Sequence, residues 1–341
     1  MHKEFATGKL NTDSLGALLK RYCHVDESVI VGPKIGEDAA VIDLGDRCLV
    51  ATTDPITFAT DEIGWYSVHI NANDIASMGA KPKWFLATVL LPEGETSEAL
   101  VESIFSQISS ACQNLGISLC GGHTEITSGI DRTIVVGHML GEVAKSKLVI
   151  SAGARSGDNI LLTKGIAIEA TSIMARERRE ELGHDFSHEF LERCRGFLRD
   201  PGIGVVLDAE IATQSADVHA MHDPTEGGLA MGLYELCEAA DVGVLIKKEH
   251  IPIFPETMQL CNHFHLDPLG SIASGALLIC LASEDTANVV EALQSEGVRA
   301  SVIGTVTDRK FGVKMEDEGK IRDLPRFERD EITKLFEPVR R

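Results

Sequence analysis

Residues 222–229 read HDPTEGGL and run straight into AMGLYELCEAA, where apolar residues recur at helical spacing. Acidic and hydroxyl groups at the mouth of a helix have an ordinary explanation. The first four backbone N–H groups of a helix lack partners and its dipole favours negative charge, so Asp223, Thr225 and Glu226 can act as caps. Gly227 and Gly228 are not explained that way, because glycine inside a helix costs roughly 0.5–1 kcal/mol relative to alanine. The stretch therefore predicts a loop-to-helix junction at which something lies close against bare main chain.

On either side of this junction, strand-like and helix-like segments alternate. Upstream, TDSLGALLKRYC reads as an amphipathic helix, and AAVIDL and RCLVATTD as a hairpin about LGD. Trp65 to Met78 has helical spacing ended by Lys81 and Pro82, WFLATVLL is a buried strand, and SEALVESIFSQISSACQNLG is a long helix closed by Gly116. ISLCGG and RTIVVGHML add strands. Around SAGARSGDN, small, polar and glycine-rich residues separate two blocks that each have their own strands and helices. The boundary falls at residue 153, giving units 1–153 and 154–341. The second unit carries the strand NILLTKG, helices over 168–181 and 203–215, the helix after HDPTEGG, the strand GALLICLA, the helix EDTANVVEALQSEG and the strand VRASVIGTV. The class is α/β in a mixed, layered (α+β) arrangement.

Composition narrows the function. A chain of 341 residues exceeds the usual size of a single core, which fits two domains. No apolar run approaches the roughly 20 residues that span a bilayer, and MHKEFATGKLNTDS has no hydrophobic signal core. The expectation is a soluble, cytoplasmic protein without a membrane partner. The eight cysteines form no CxxC pair, and most lie in apolar segments such as LLICLA and ISLCGG, where a reduced thiol is a small hydrophobe. Cys120 is accordingly read as core. A net charge of −20 excludes a nucleic-acid partner, which would need a basic footprint. The basic run RERREELGH is interleaved with acids and reads as a solvated helix face. His263 and His265, in CNHFHLD, read as a surface loop.

Four short motifs share one chemistry: GEDAAV at 36–41, ATTDP at 51–55, NANDIASMGAKP at 71–82 and HDPTEGGL. Each sets an aspartate (Asp38, Asp54, Asp74, Asp223) at a strand end, a loop or a helix opening. Taken singly, GEDAAV and ATTDP read as turns, since an Asp beside Gly is commonly a turn former. Asn71, Asn73 and Asp74 are a stronger signal, because they interrupt an otherwise apolar helical run and burying them needs a reason. If the carboxylates converge they repel one another. Magnesium removes that conflict, as Mg²⁺ takes oxygen ligands, keeps several waters and joins carboxylates to nucleotide phosphates. A fifth motif, CGGHTEIT at 120–127, supplies the phosphate side: Gly121 and Gly122 let backbone N–H groups approach an anion, with Thr124 as a further donor. Thr225, Gly227 and Gly228 are candidates on the same ground, as is Asn73 from its motif. His222 and His123 flank these motifs and read equally as phosphate donors or as satisfied structural histidines. Nothing matches GxxxxGK[ST] or GxGxxG, which excludes a P-loop or Rossmann ATP site on motif grounds.

In this order the five motifs resemble the ATP-binding superfamily of aminoimidazole ribonucleotide (AIR) synthetase, which includes selenophosphate synthetase, thiamine-monophosphate kinase and the hydrogenase-maturation protein HypE. The resemblance runs from about Gly36 to about Thr305. It implies a two-domain PurM-like fold in which the N-terminal sheet pairs with a twofold mate into a barrel-like homodimer core. It also implies ATP in the cleft, Asp38, Asp54, Asp74 and Asp223 as magnesium-binding carboxylates, and Asn71, Gly121, Gly122 and Thr124 as nucleotide contacts. Where relatives tend to carry aspartate after the glycine pair this chain has His123, so that one metal ligand is either missing or replaced by Glu125. Asp54, Asp223 and His222 are the candidate catalytic groups. HDPTEGGL with DPLGSIASGALL at 267–278 is similar to HypE, whereas GIGEDAAV is similar to thiamine-monophosphate kinase, and the chain ends LFEPVRR without HypE's terminal cysteine. The implied activity is Mg-ATP-dependent phosphorylation of an amide or carbonyl oxygen of a small substrate. The alternatives are a small-molecule kinase and a non-catalytic nucleotide-binding partner in maturation of another protein.

Overall fold

WFLATVLL lies at the centre of β4 (Lys81–Pro92), whose residues alternate between buried and partly buried positions, as a strand with one face on a core requires. The structure, a computed structural model, describes residues 8, 10, 12–57 and 59–336. Most of the N-terminal stretch read for a signal core, and the last five residues, lie outside them. Strand β4 belongs to a six-stranded sheet in the order β1-β2-β3-β6-β4-β5. Its other members are β1 (Val29–Val31), β2 (Ala40–Asp43), β3 (Arg47–Ile56), β5 (Ser118–Thr127) and β6 (Ile134–Ala144). The expected hairpin joins β2 to β3, with Asp43 opposite Cys48. Only β4 and β5 run parallel, because the long helix α3 (Glu98–Leu115) carries the chain back between them. The Ser97 hydroxyl caps α3 by accepting from the Leu100 N–H, and Gly116, at φ 66°, closes it.

A second, seven-stranded sheet has the order β13-β12-β9-β11-β7-β10-β8. Its strands are β7 (Asn159–Thr163), β8 (Val218–His222), β9 (Val242–Lys247), β10 (Leu278–Leu281), β11 (Ala300–Asp308), β12 (Val313–Asp317) and β13 (Lys320–Asp323). Helix α1 (Thr12–Tyr22) precedes the first sheet and α2 (Ile63–Ser77) lies on it. The later helices are α4 (Ile168–Glu177), α5 (Arg179–Leu182), α6 (His188–Gly196), α7 (Val206–Ser215), α8 (Gly228–Ala240), α9 (Pro255–Phe264) and α10 (Thr286–Ser295). No helix among the described residues is long and apolar enough to cross a membrane.

Two sequence expectations change here. Cys120 is exposed, because β5 is the edge of its sheet and is uncovered from Ser118 to Ile126. His263 sits in the last turn of α9 and His265 is its left-handed cap, so CNHFHLD ends a helix. The short strands β8, β9, β12 and β13 and the helix α6 add to the elements expected from the sequence.

Helix α2 organises the rest. All fifteen of its residues are buried, since it packs against β3, β4 and β6 on one side and reaches α7 and β8 on the other. Its polar side chains must therefore find partners inside the protein. Asn73 does so across the two sheets' territories: its amide donates to the Ile203 carbonyl at 2.8 Å and accepts from the Val205 N–H at 2.8 Å. Asn73→Ala strands both backbone groups in the interior, and the expected loss is about 2–4 kcal/mol, read as a lowered urea midpoint. An unchanged midpoint would show that the contact carries no stability.

Candidate active site

Each acidic motif delivers its aspartate by a different device. In GEDAAV, Gly36 has φ +84° and presses on α8 so closely that a Cβ there would lie 2.3 Å from the Glu235 carbonyl oxygen. Glu37 accepts from the N–H groups of Ser151 and Ala152, both at 3.2 Å. Asp38 is thereby delivered beside His222, with Asp38 Oδ1 and His222 Nδ1 2.8 Å apart. In β3, Asn71 clasps the backbone of Asp54, accepting from its N–H at 2.9 Å and donating to its carbonyl at 3.3 Å. Asn71 fits because the opposing residue is Gly137, whose Cβ would fall 2.3 Å from the amide nitrogen. Asp74 projects from α2 and accepts from the Thr52 hydroxyl at 2.6 Å. Asp223 follows directly on β8.

The four carboxylates are neighbours. Burial first, and then the charges of Asp54, Asp223 and Asp38, push Asp74 well above the usual carboxylate range. Burial first, then Asp38, pushes Asp223 up as well, with Asp54 adding to the effect and the His222 charge opposing it. Both Asp223 carboxylate oxygens and Asp38 Oδ2 are buried without a hydrogen-bond partner. Such an arrangement is costly on its own and fits a cation that the carboxylates would share. Among the described residues no three His, Cys, Asp or Glu stand at the spacing of a ready-made metal cage. Magnesium does not need one, since it is commonly held by one or two carboxylates together with waters and substrate phosphate.

His222 is buried, with Asp38 on one ring nitrogen and Glu235 on the other at 3.2 Å. Burial opposes its charge, but the two carboxylates outweigh it and hold its pKa well above the ordinary value. It is an internal counter-ion that fixes Asp38, since both nitrogens are already engaged.

The glycine motifs act differently from the sequence expectation. Gly227 and Gly228 have φ +81° and +64°, and a Cβ on Gly228 would lie 2.6 Å from the Leu269 carbonyl oxygen. The Gly227 N–H donates to Asp330 at 2.6 Å. What approaches this bare backbone is the protein's own 267–271 segment and its C-terminal region. Gly121 and Gly122 lie in extended strand β5, at φ +146° and +147°, where the β4 register shifts. A Cβ on Gly122 would come 1.9 Å from the Ala87 carbonyl oxygen, so these glycines permit a bulge in strand pairing. Nor does one chain bring them to the acids. The row Asp54, Gly137, Ala87, Gly122 crosses three strand spacings, about 14 Å. Thr124 and Glu125 lie on the same exposed edge, with His123 Nε2 3.2 Å from Glu125. Asn73 has both amide atoms committed to residues 203 and 205.

Beside Asp54 lies a small recess whose wall includes Thr225, Glu226, Glu169 and Ser274. Glu169, at the start of α4, is 3% exposed and its Oε2 has no hydrogen-bond partner. Burial raises its pKa to about 8, with Glu226 and Asp330 adding to the rise and Ser274 opposing it. Sequence reading missed this residue, although the lone acid in GIAIEATSIMA carried the same signal that marked Asp74.

Two family models match the chain: AIR synthase related protein, N-terminal domain, over residues 36–143, and its C-terminal domain over residues 155–316. A putative hydrogenase expression/formation protein of Methanocaldococcus jannaschii is 29% identical over 304 residues, covering 86% of this chain and 87% of that protein. The carbamoyl dehydratase HypE of Cupriavidus necator is 29% identical over 283 residues, covering 80% and 77%. Among solved structures, HypE in a HypE–HypF complex superposes with a TM-score of 0.72 at 25% identity, covering 85% of this chain and 93% of that one. HypE in complex with ATP gives 0.71 at 22% identity, covering 93% and 91%, a likeness of fold.

The Glu169 environment sets a pH dependence. Between the ordinary value of 4.5 and about 8, the folded protein keeps a proton that the unfolded chain has released. Stability contributed by this group therefore falls as pH rises through that window. Glu169→Gln removes the dependence, so the variant is expected to melt above the wild type at pH 8 and to match it near pH 4. A wild type that melts higher at pH 8 would mean that Glu169 is ionised in the fold.

Proposed function

The chain belongs to the AIR synthase related family, and from that membership together with the site's geometry we propose that it uses Mg-ATP to phosphorylate an amide or carbonyl oxygen of a small substrate, making phosphate a leaving group. The observation that carries this reading is the meeting of Asp38, Asp54, Asp74 and Asp223, from four separate segments, at one buried spot with Asp223 unpartnered. These carboxylates would hold magnesium, which when bound neutralises the phosphates of ATP. The chain's own residues keep the acids in place: His222 holds Asp38, Asn71 holds the strand at Asp54, and Thr52 holds Asp74. Phosphoryl transfer is driven chiefly by positioning and charge neutralisation, so no protein nucleophile is required. The acceptor would enter by the recess beside Asp54. A Glu169 that stays protonated near neutral pH offers an uncharged hydrogen-bonding group on that wall.

The names of the relatives support the same chemistry. A carbamoyl dehydratase converts an amide by removing the elements of water, and phosphate on the amide oxygen is the leaving group such a step needs. A HypE bound to HypF supports a maturation protein as partner. The uncovered β5 edge, with Leu119 and Ile126 exposed, supports a homodimer through the first sheet.

Phosphate release from Mg-ATP in the presence of small carbamoyl compounds, such as N-carbamoyl amino acids, tests the reaction. Asp54→Asn and Asp223→Asn are each expected to lower the rate about 100-fold or more. A product that retains the phosphate would replace this reading with a kinase, and wild-type rates in both variants would remove catalysis from the site. Ile126→Glu is expected to give monomers by sedimentation, and a persisting dimer would place the interface elsewhere.

A further inference from the structure

A second pocket opens at the C-terminal end of α4, and its lining is unusual for a chain of net charge −20. Arg176, Arg179, Arg195 and Arg199 converge there with only Asp61 and Glu192 as lining acids, around a space of about 390 Å³. The arginines are held from behind. Arg176 donates to the Ser172 hydroxyl at 3.2 Å and to the Arg195 carbonyl at 3.1 Å, and Arg195 donates to the Ala175 carbonyl at 3.1 Å. The Arg199 guanidinium lies 4.5 Å from the Trp65 ring centroid and pairs with Glu62. Arg179 has no acidic partner among the described residues.

The two ion pairs within the pocket are lopsided. The Arg176 side chain is 12% exposed but its partner Asp61 is 59% exposed, and Arg195 is 13% exposed against 48% for Glu192. In both pairs the arginine is the more buried member and the carboxylate the more exposed one. These two guanidiniums are held by the main chain and largely covered, while their carboxylates are about half exposed. Forked guanidinium donors match an oxyanion in two-point geometry better than such carboxylates do.

We propose that this pocket binds the oxyanion end, phosphate or carboxylate, of a small molecule, and that Asp61 and Glu192 stand in for it in the free protein. The space is of the size that small-molecule sites occupy. Helix α4 joins the pocket to the recess beside Asp54, with Glu169 in its first turn and Arg176 in its last, about 10 Å apart along the axis. Anion binding at the arginines does not depend on the proposed phosphoryl-transfer reading.

The test titrates the intact protein with inorganic phosphate in EDTA at constant ionic strength, reading melting temperature and calorimetric heat, with chloride as control and acetate as the carboxylate probe. Without divalent cations the aspartate cluster repels anions, so any saturable binding reports the arginines. Phosphate is expected to stabilise the protein saturably beyond chloride, and acetate shows whether a carboxylate suffices. Arg179→Glu and Arg199→Glu, both on the pocket's outer side, should each weaken phosphate binding roughly tenfold or more. Asp61→Asn with Glu192→Gln should tighten it about threefold to tenfold, because the competing carboxylates are gone. A merely structural network predicts the reverse, a less stable double variant with no gain in affinity. No saturable effect of phosphate or acetate beyond chloride, or unchanged affinity in the charge reversals, would overturn the proposal. Failure of the Mg-ATP reaction would leave this titration untouched, and a negative titration would leave the Mg-ATP reaction standing.

Discussion

A helix with no solvent-facing side cannot leave a polar side chain to water, and α2 is such a helix. Every donor or acceptor it carries must be matched from β3, from the 203–205 segment or from within the helix itself, or else stay unmatched at a cost of a few kcal/mol. Asn71 and Asn73 are matched. Asp74 is matched on one oxygen only, by Thr52, and otherwise faces three other acids. The arrangement of both sheets around α2 thus produces a place where negative charge accumulates without a protein cation to balance all of it.

His222 offsets part of that charge, and its position shows how. Sitting at the last residue of β8, it is reached by Asp38 from one side and by Glu235 of α8 from the other. Gly36 makes the first approach feasible, because only a residue without Cβ can rest on the Glu235 carbonyl. One imidazolium answers two carboxylates, while burial and mutual repulsion hold Asp74 and Asp223 well above the usual carboxylate range. The arginines lie apart, at the far end of α4 around their own space.

The glycine-rich stretches illustrate how a sequence signal can be right in kind while leaving the approaching group open. Two glycines at a helix mouth do mean that something lies close to the backbone. For Gly227 and Gly228 that something is the carbonyl of Leu269 and the carboxylate of Asp330, about 40 and 100 residues further along the chain. For Gly121 and Gly122 it is the neighbouring strand. Close approach is a local requirement that composition records, but the identity of the approaching group depends on which distant segment the fold brings there.

By itself the sequence determined the alternation of strands and helices, the acidic motifs, and the unusual polar residues in an apolar helix, because each depends on spacing within a few residues. It also pointed to Asp38, Asp54, Asp74 and Asp223 as a set. Only the tertiary structure decided that these four meet, that β5 is an exposed edge so that Cys120 and Glu125 face outward, and that Glu169 lines the recess beside Asp54. Likewise the basic run of RERREELGH, which reads locally as a solvated face, gives Arg176 and Arg179 to a pocket completed by Arg195 and Arg199 from another segment. Periodicity sets which side of an element is apolar, whereas electrostatic fields and burial depend on distances between elements that no local pattern contains.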